Sequence, residues 1–118
     1  MDTLENAAAL FKLLSHPSRL AILQVLRDGE ECVCHLEAAL GLRQAYISQQ
    51  LMVLRQAGLL TDRREGWNIF YRVVKPEVYA LLDAALATVR PEGASSPLMR
   101  HVKPVACPCP KCQLEPVL

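Results

Sequence analysis

Two short helical stretches with almost nothing between them constrain this chain more than any other feature. Residues 32–40 carry the pattern of one helix with Gly41 as its stop, and residues 44–57 that of a second with Gly58 as its stop. Helices joined by so few residues form a helix-turn-helix unit. In the second of them Ile47, Leu51 and Leu54 make a single apolar stripe, so the remaining surface is polar and available to a partner.

The flanks decide what this unit is set in. Asp2 and Glu5 have the spacing of a capping box, and Leu4, Ala7, Ala8, Phe11 and Leu14 follow at helical spacing, which predicts a first helix running to about Ser15. Pro17 suits the first turn of a second helix, striped by Leu20, Leu23 and Leu26 and ended by Asp28-Gly29, with His16 at its boundary. After Gly58, residues 59–64, the pair Glu65-Gly66 and the run Trp67 to Val74 read as a β-hairpin, with Trp67 and Tyr71 expected to pack it. Pro76 opens a last helix with Val78, Leu81, Leu82, Ala85, Leu86 and Val89 on one stripe. Apolar helices at both ends of so small a domain suit a homodimer seam as well as a core.

From Pro91 onward the periodic pattern stops and prolines recur, so residues 1–90 are expected to form the folded domain and residues 91–118 a flexible Pro/Cys-rich tail. The chain of 118 residues is 52% hydrophobic and carries a net charge of only +1, which suits one compact domain and excludes disorder throughout. No apolar run approaches the roughly 20 residues of a membrane span and no signal peptide is evident, so a cytoplasmic protein without a membrane partner is expected. Five Cys is many for such a protein, and the odd count excludes a complete disulfide framework.

The small net charge hides an uneven distribution. Residues 1–42 hold three basic and six acidic side chains, residues 43–75 six and two, and residues 76–118 four of each. One locally basic block on a nearly neutral protein is the footprint of a single face that meets a polyanion, although a solvated basic face gives the same count. Helices, a helix-turn-helix and a basic hairpin together make a winged helix: mainly α with a small β-hairpin. In that fold the second helix of the pair enters the DNA major groove and the wing meets phosphates. The groove readers are then Gln44, Tyr46, Ser48, Gln49 and Gln50, and the phosphate ligands Arg43, Arg63 and Arg64.

The cysteines fall into two sets. Cys32-Val33-Cys34 lies where the third helix begins. Residues two apart are about 200° apart on a helix but point the same way on a strand, so both sulfurs reach one ion only if the helix start is extended. A thiol at a helix N-terminus also tends toward the thiolate that binds metal. The tail supplies Cys107, Cys109 and Cys112, separated by Pro108, Pro110 and Lys111. Three thiols in a proline-rich hexapeptide can wrap a soft ion, and Lys111 favours the thiolates. A lone His such as His35 or His101 is more often solvated or structural than a ligand.

From Leu14 to about Leu86 the chain resembles the ArsR/SmtB family of metal-responsive winged-helix repressors. The resemblance rests on Leu14-Ser15-His16-Pro17-Ser18-Arg19-Leu20, Cys32-Val33-Cys34-His35-Leu36, Ser48-Gln49-Gln50-Leu51, Leu54-Arg55-Gln56-Ala57-Gly58-Leu59 and Asp62-Arg63-Arg64-Glu65-Gly66-Trp67. It implies a homodimer formed by the first and last helices that binds an imperfect palindrome of double-stranded operator DNA and leaves it when metal binds. The Cys-Val-Cys motif is similar to the site of sensors for arsenite, antimonite, cadmium or lead, which makes As(III) the favoured effector, with Cd(II) or Pb(II) next. Where some arsenic sensors have a third Cys, this chain has Glu37. The third sulfur is then expected from Cys107, Cys109 or Cys112, in the same or the partner subunit, with a self-contained tail site as the alternative. The Asp/His sites that other members carry on the last helix are not expected, because that helix offers Asp83 but no His.

A thiol-redox or persulfide switch on the same fold, and a metal-buffering protein whose winged helix binds protein, are the other readings. No phosphate loop, paired acidic motif or Cys-His-acid arrangement points to an enzyme, and no organic substrate is expected.

Overall fold

Proline and glycine set most of the element boundaries in the computed structural model, which describes residues 2–90. Helix α1 spans Thr3–Leu14 and α2 spans Pro17–Val25. His16 takes the extended backbone of an N-cap and Pro17 the first helical position, where its missing N–H costs nothing. A 3-10 turn, Leu26–Asp28, closes α2 at Gly29. Then come β1 (Glu31–Cys32), α3 (Val33–Leu40), α4 (Gln44–Gln56), β2 (Leu60–Glu65), β3 (Asn68–Val73) and α5 (Glu77–Val89). The capping box expected at the start of α1 does not form: Asp2 makes no side-chain cap, and its carbonyl accepts from the Asn6 N–H at 3.0 Å.

The helix stops work as their glycines require. Gly41 sits in the left-handed region at φ 67°. After α4, the Gly58 N–H donates to the Arg55 carbonyl at 3.0 Å and the Leu59 N–H to the Leu54 carbonyl at 3.1 Å, with Gly58 at φ 87°. This paired closure satisfies carbonyls that the helix end would leave bare and turns the chain directly into β2.

The hairpin gains a third strand. The sheet order is β1-β3-β2, all antiparallel, with Cys32 opposite Phe70 and Phe70 opposite Arg63 in consecutive registers. From sequence spacing Cys32 is expected in α3, but tertiary pairing with β3 draws it into a strand. A two-residue strand has too little alternation to show in a sequence.

The core lies where α2, α3 and α4 meet the sheet. Ile22, Leu23, Leu36, Ile47, Leu51 and Leu54 are fully buried and Phe70 nearly so, each contributing about 1.5–3 kcal/mol through removal from water. The expected stripe of α4 is thus its core face. Helix α5 docks on α2 by polar contacts as well. The Arg27 guanidinium meets Asp83 in a two-pronged pair at 3.0 and 2.6 Å and lies 4.6 Å from the Tyr79 ring centre. Tyr79 donates its hydroxyl to the Leu23 carbonyl at 2.5 Å. Burial pushes that hydroxyl up to about 12, while the hydrogen bond from Arg27 holds Asp83 below the usual carboxylate range. Asp83 is therefore a structural partner of the 3-10 turn that closes α2. Leu4 and Phe11 of α1 and Val89 of α5 remain exposed. Among the described residues no helix is long and apolar enough to cross a membrane.

Candidate nucleic-acid interface and thiol site

The start of α4 is the polar surface that the sequence pattern implies. Arg43 caps it in an extended conformation, and Arg43, Gln44, Tyr46 and Gln49 are exposed, with Ser48 partly so. Tyr46 and Ser18 of α2 share a hydroxyl–hydroxyl hydrogen bond of 2.7 Å, which orients the ring beside the helix N-terminus. Gln50 departs from expectation. It is buried, and its Oε1 accepts from Arg19 Nε at 2.8 Å while Arg19 Nη1 donates to the Leu13 carbonyl at 2.8 Å. On a helix, position 50 falls beside the core positions 47, 51 and 54. Gln50 therefore ties α4 to the junction of α1 and α2 instead of facing a groove.

The wing carries its charges unevenly. Arg64 is exposed and makes no ion pair among the described residues, as a phosphate ligand requires. Arg63 is engaged: it reaches Glu30 at 2.5 Å and Glu65 at 2.7 Å, and its guanidinium lies 4.6 Å from the centre of the Phe70 ring. These carboxylates raise its pKa further, so its positive charge is partly matched within the fold. Arg55 of α4 pairs with Asp62 of β2 at 3.0 Å, which ties the wing to the helix beside it. Trp67 also departs from expectation. It does not pack the hairpin but stands at its tip, 99% exposed, because the turn at Gly66 (φ 61°) carries it past the end of both strands. Tyr71 does pack, against the core.

The first thiol pair is assembled by the strand-to-helix junction. Cys32 ends β1 and caps α3 with extended backbone (φ −83°, ψ 161°), whereas Cys34 already lies in the helix. The extended Cys32 removes the angular separation a continuous helix would impose. The two residues stand 5.4 Å apart at Cα, and their sulfurs are joined as a disulfide. Cys32 is 1% exposed and Cys34 partly exposed. The Cys32 sulfur accepts from the His35 backbone N–H at 3.3 Å. His35 Nδ1 lies 3.8 Å from Glu31 Oε1, which gives this imidazole a carboxylate neighbour.

As a donor set the junction suits a soft ion by ligand type, and among the described residues no group of three or more His, Cys, Asp or Glu that could hold a metal occurs. Cys107, Cys109, Cys112 and His101 lie outside the described residues. Sequence spacing does not reveal the positioning roles of Glu30, of Gln50 with Arg19, or of Asp62 with Arg55. Each acts through a partner 7 to 33 positions away, and only the i,i+3 and i,i+4 neighbours of a helix can be paired from spacing alone.

Comparison with known proteins bears on the whole arrangement. Residues 16–62 match the family described as bacterial regulatory protein, arsR family. The chain is 46% identical over 82 residues to the biofilm growth-associated repressor of Agrobacterium fabrum, covering 70% of each protein. The chain belongs to the ArsR family. It is also 46% identical over 81 residues to the arsenic resistance transcriptional regulator ArsR1 of Pseudomonas putida, a match covering 68% of this chain and 62% of that one. Among solved structures it superposes on the AntR antimony-specific transcriptional repressor with a TM-score of 0.66 and 36% identity, over 72% of this chain and 78% of the other. An ArsR-family chain with this winged-helix fold is a DNA-binding transcriptional regulator, not an enzyme.

Proposed function

We propose that this ArsR-family regulator is a cytoplasmic, metal(loid)-responsive repressor that binds its operator as a reduced, metal-free homodimer and releases it when thiolates capture a soft ion. The junction of β1 and α3 carries the reading, because it holds Cys32 and Cys34 side by side at the start of the helix preceding the recognition helix. Cys32 and Cys34 supply two sulfurs and one of Cys107, Cys109 or Cys112 the third. Three thiolates suit As(III) or Sb(III), and a fourth ligand would favour Cd(II) or Pb(II). Relatives named for arsenic resistance and for antimony specificity support a metalloid effector. On the DNA side, Gln44, Tyr46, Ser48 and Gln49 read the major groove while Arg43, Arg63 and Arg64 bind phosphates. The exposed apolar residues of α1 and α5 form the dimer seam.

The disulfide between Cys32 and Cys34 favours a second reading, in which the same pair is a redox switch. A mild oxidant would take two electrons and two thiol protons leave as the S–S bond forms.

Fluorescence anisotropy separates the readings. The fully reduced protein is titrated onto DNA from upstream of its own gene, and arsenite, cadmium and zinc are then added separately. Cys32→Ser and a chain truncated before Cys107 are measured in parallel. Release by arsenite or cadmium that is lost in Cys32→Ser supports metal sensing, and loss in the truncated chain assigns the third ligand to the tail. Tight binding indifferent to every ion but released by oxidant moves the redox reading to first place.

A further inference from the structure

Cys32, Phe70 and Arg63 occupy one row across the three strands, since Cys32 pairs with Phe70 and Phe70 with Arg63. Residues in one row project on the same face of a sheet. The row is dry at its centre, with Cys32 and Phe70 both buried, and the Arg63 guanidinium closes over the Phe70 ring. From there Arg63 reaches past β3 to Glu30, the residue immediately before β1, at 2.5 Å. Glu30 and Arg63 thus join the segment bearing Cys32 to the wing, although β1 and β2 are not neighbours in the sheet.

The two sulfurs straddle a boundary between parts of unequal firmness. Cys34 sits on α3, which is anchored by the fully buried Leu36, whereas β1 is a strand of two residues. A change in how the sulfurs are held, as a disulfide or around an ion, alters the relation of β1 to α3, and the short strand yields before the core does. Whatever moves Cys32 moves Glu30, two residues away, and so Arg63.

We propose that the Glu30–Arg63 pair is the mechanical link between the thiol pair and the wing, with Glu30 a positioning residue that sets where Arg63 meets a DNA phosphate. The proposal rests on the thiol-gated reading above. Glu65 holds the same guanidinium at 2.7 Å but lies within the wing, so it orients Arg63 without reference to the thiols. An exposed ion pair contributes little to stability, and Glu30→Gln therefore leaves the unfolding midpoint unchanged while uncoupling the two sites.

The chain's single Trp, at the wing tip, reports on the wing without DNA. Full-length reduced wild type, Glu30→Gln and Glu65→Gln are treated with arsenite or with the thiol oxidant diamide. Trp67 emission and anisotropy, arsenite stoichiometry and operator affinity are read for each. In wild type the Trp67 signal shifts and operator affinity falls about tenfold, a typical coupling between sites. Glu30→Gln takes up arsenite with unchanged stoichiometry but loses the Trp67 shift, and its operator ratio falls below about threefold. Glu65→Gln keeps both responses. A full Trp67 shift in Glu30→Gln overturns the link, as does a wild-type Trp67 silent to both reagents or equal loss in the two variants. A Trp67 shift that Glu30→Gln abolishes, without any change in operator affinity, supports the link and overturns the thiol-gated repressor.

Discussion

Adjacent glutamines in α4 have opposite surroundings. Gln49 is exposed beside the predicted groove readers, whereas Gln50 is buried and bonded to Arg19. Gln50→Ala leaves the Arg19 guanidinium without its side-chain acceptor and should cost about 1.5–3 kcal/mol of stability, the range for a hydrogen bond to a charged group. Gln49→Ala should stay within about 0.5 kcal/mol of wild type, as exposed substitutions do, while weakening operator binding. Urea unfolding and DNA anisotropy on the two variants separate the roles. Equal stability loss in both would show that the burial of Gln50 has no energetic weight. Arg63 has a comparable double character, since its charge is shared between Glu30, Glu65 and the Phe70 ring before any phosphate arrives.

At the scale of elements, the passage from α4 to β2 decides where the wing stands. Gly58 makes it with φ 87°, and no atom lies within 4 Å of where a Cβ would be. Gly58→Ala therefore meets no clash and suffers only the left-handed backbone, a cost of about 1–2 kcal/mol. Its thermal midpoint should fall, and operator binding should fall further than stability alone accounts for, because the wing would shift relative to α4. Unchanged binding with a lowered midpoint would show that the turn matters for folding only. The Arg55–Asp62 pair at 3.0 Å holds the same two elements from the side.

Across the whole molecule, three of the large apolar side chains left exposed, Leu4, Phe11 and Val89, lie on the first and last helices. Phe11 is 56% exposed and Val89 73%, and a seam between two copies would remove both from water. On the proposed homodimer seam of α1 and α5, Phe11→Glu should yield a monomer by sedimentation equilibrium with little loss of monomer stability. Its operator affinity should drop at least tenfold, because a palindrome rewards two half-sites held at fixed spacing. A Phe11→Glu protein that remains dimeric would place the seam elsewhere.

Local rules carried much of this protein into view from its sequence. Pro17, Gly41, Gly58 and the apolar stripes mark where helices start, stop and face the core, because capping, backbone strain and 3.6-residue periodicity act over a few neighbouring positions. They place α1 to α5 and the hairpin within a residue or two, and the family motifs add that the chain regulates transcription. Tertiary structure alone decided the rest. Pairing with β3 turned Cys32 from a helical residue into a strand end and so brought its sulfur to that of Cys34. Burial against α2 took Gln50 away from the groove face, the turn at Gly66 put Trp67 in solvent, and Glu30 found Arg63 across the sheet. Apart from the local turn at Gly66, each of these depends on contacts between residues far apart in the chain, which no local pattern encodes.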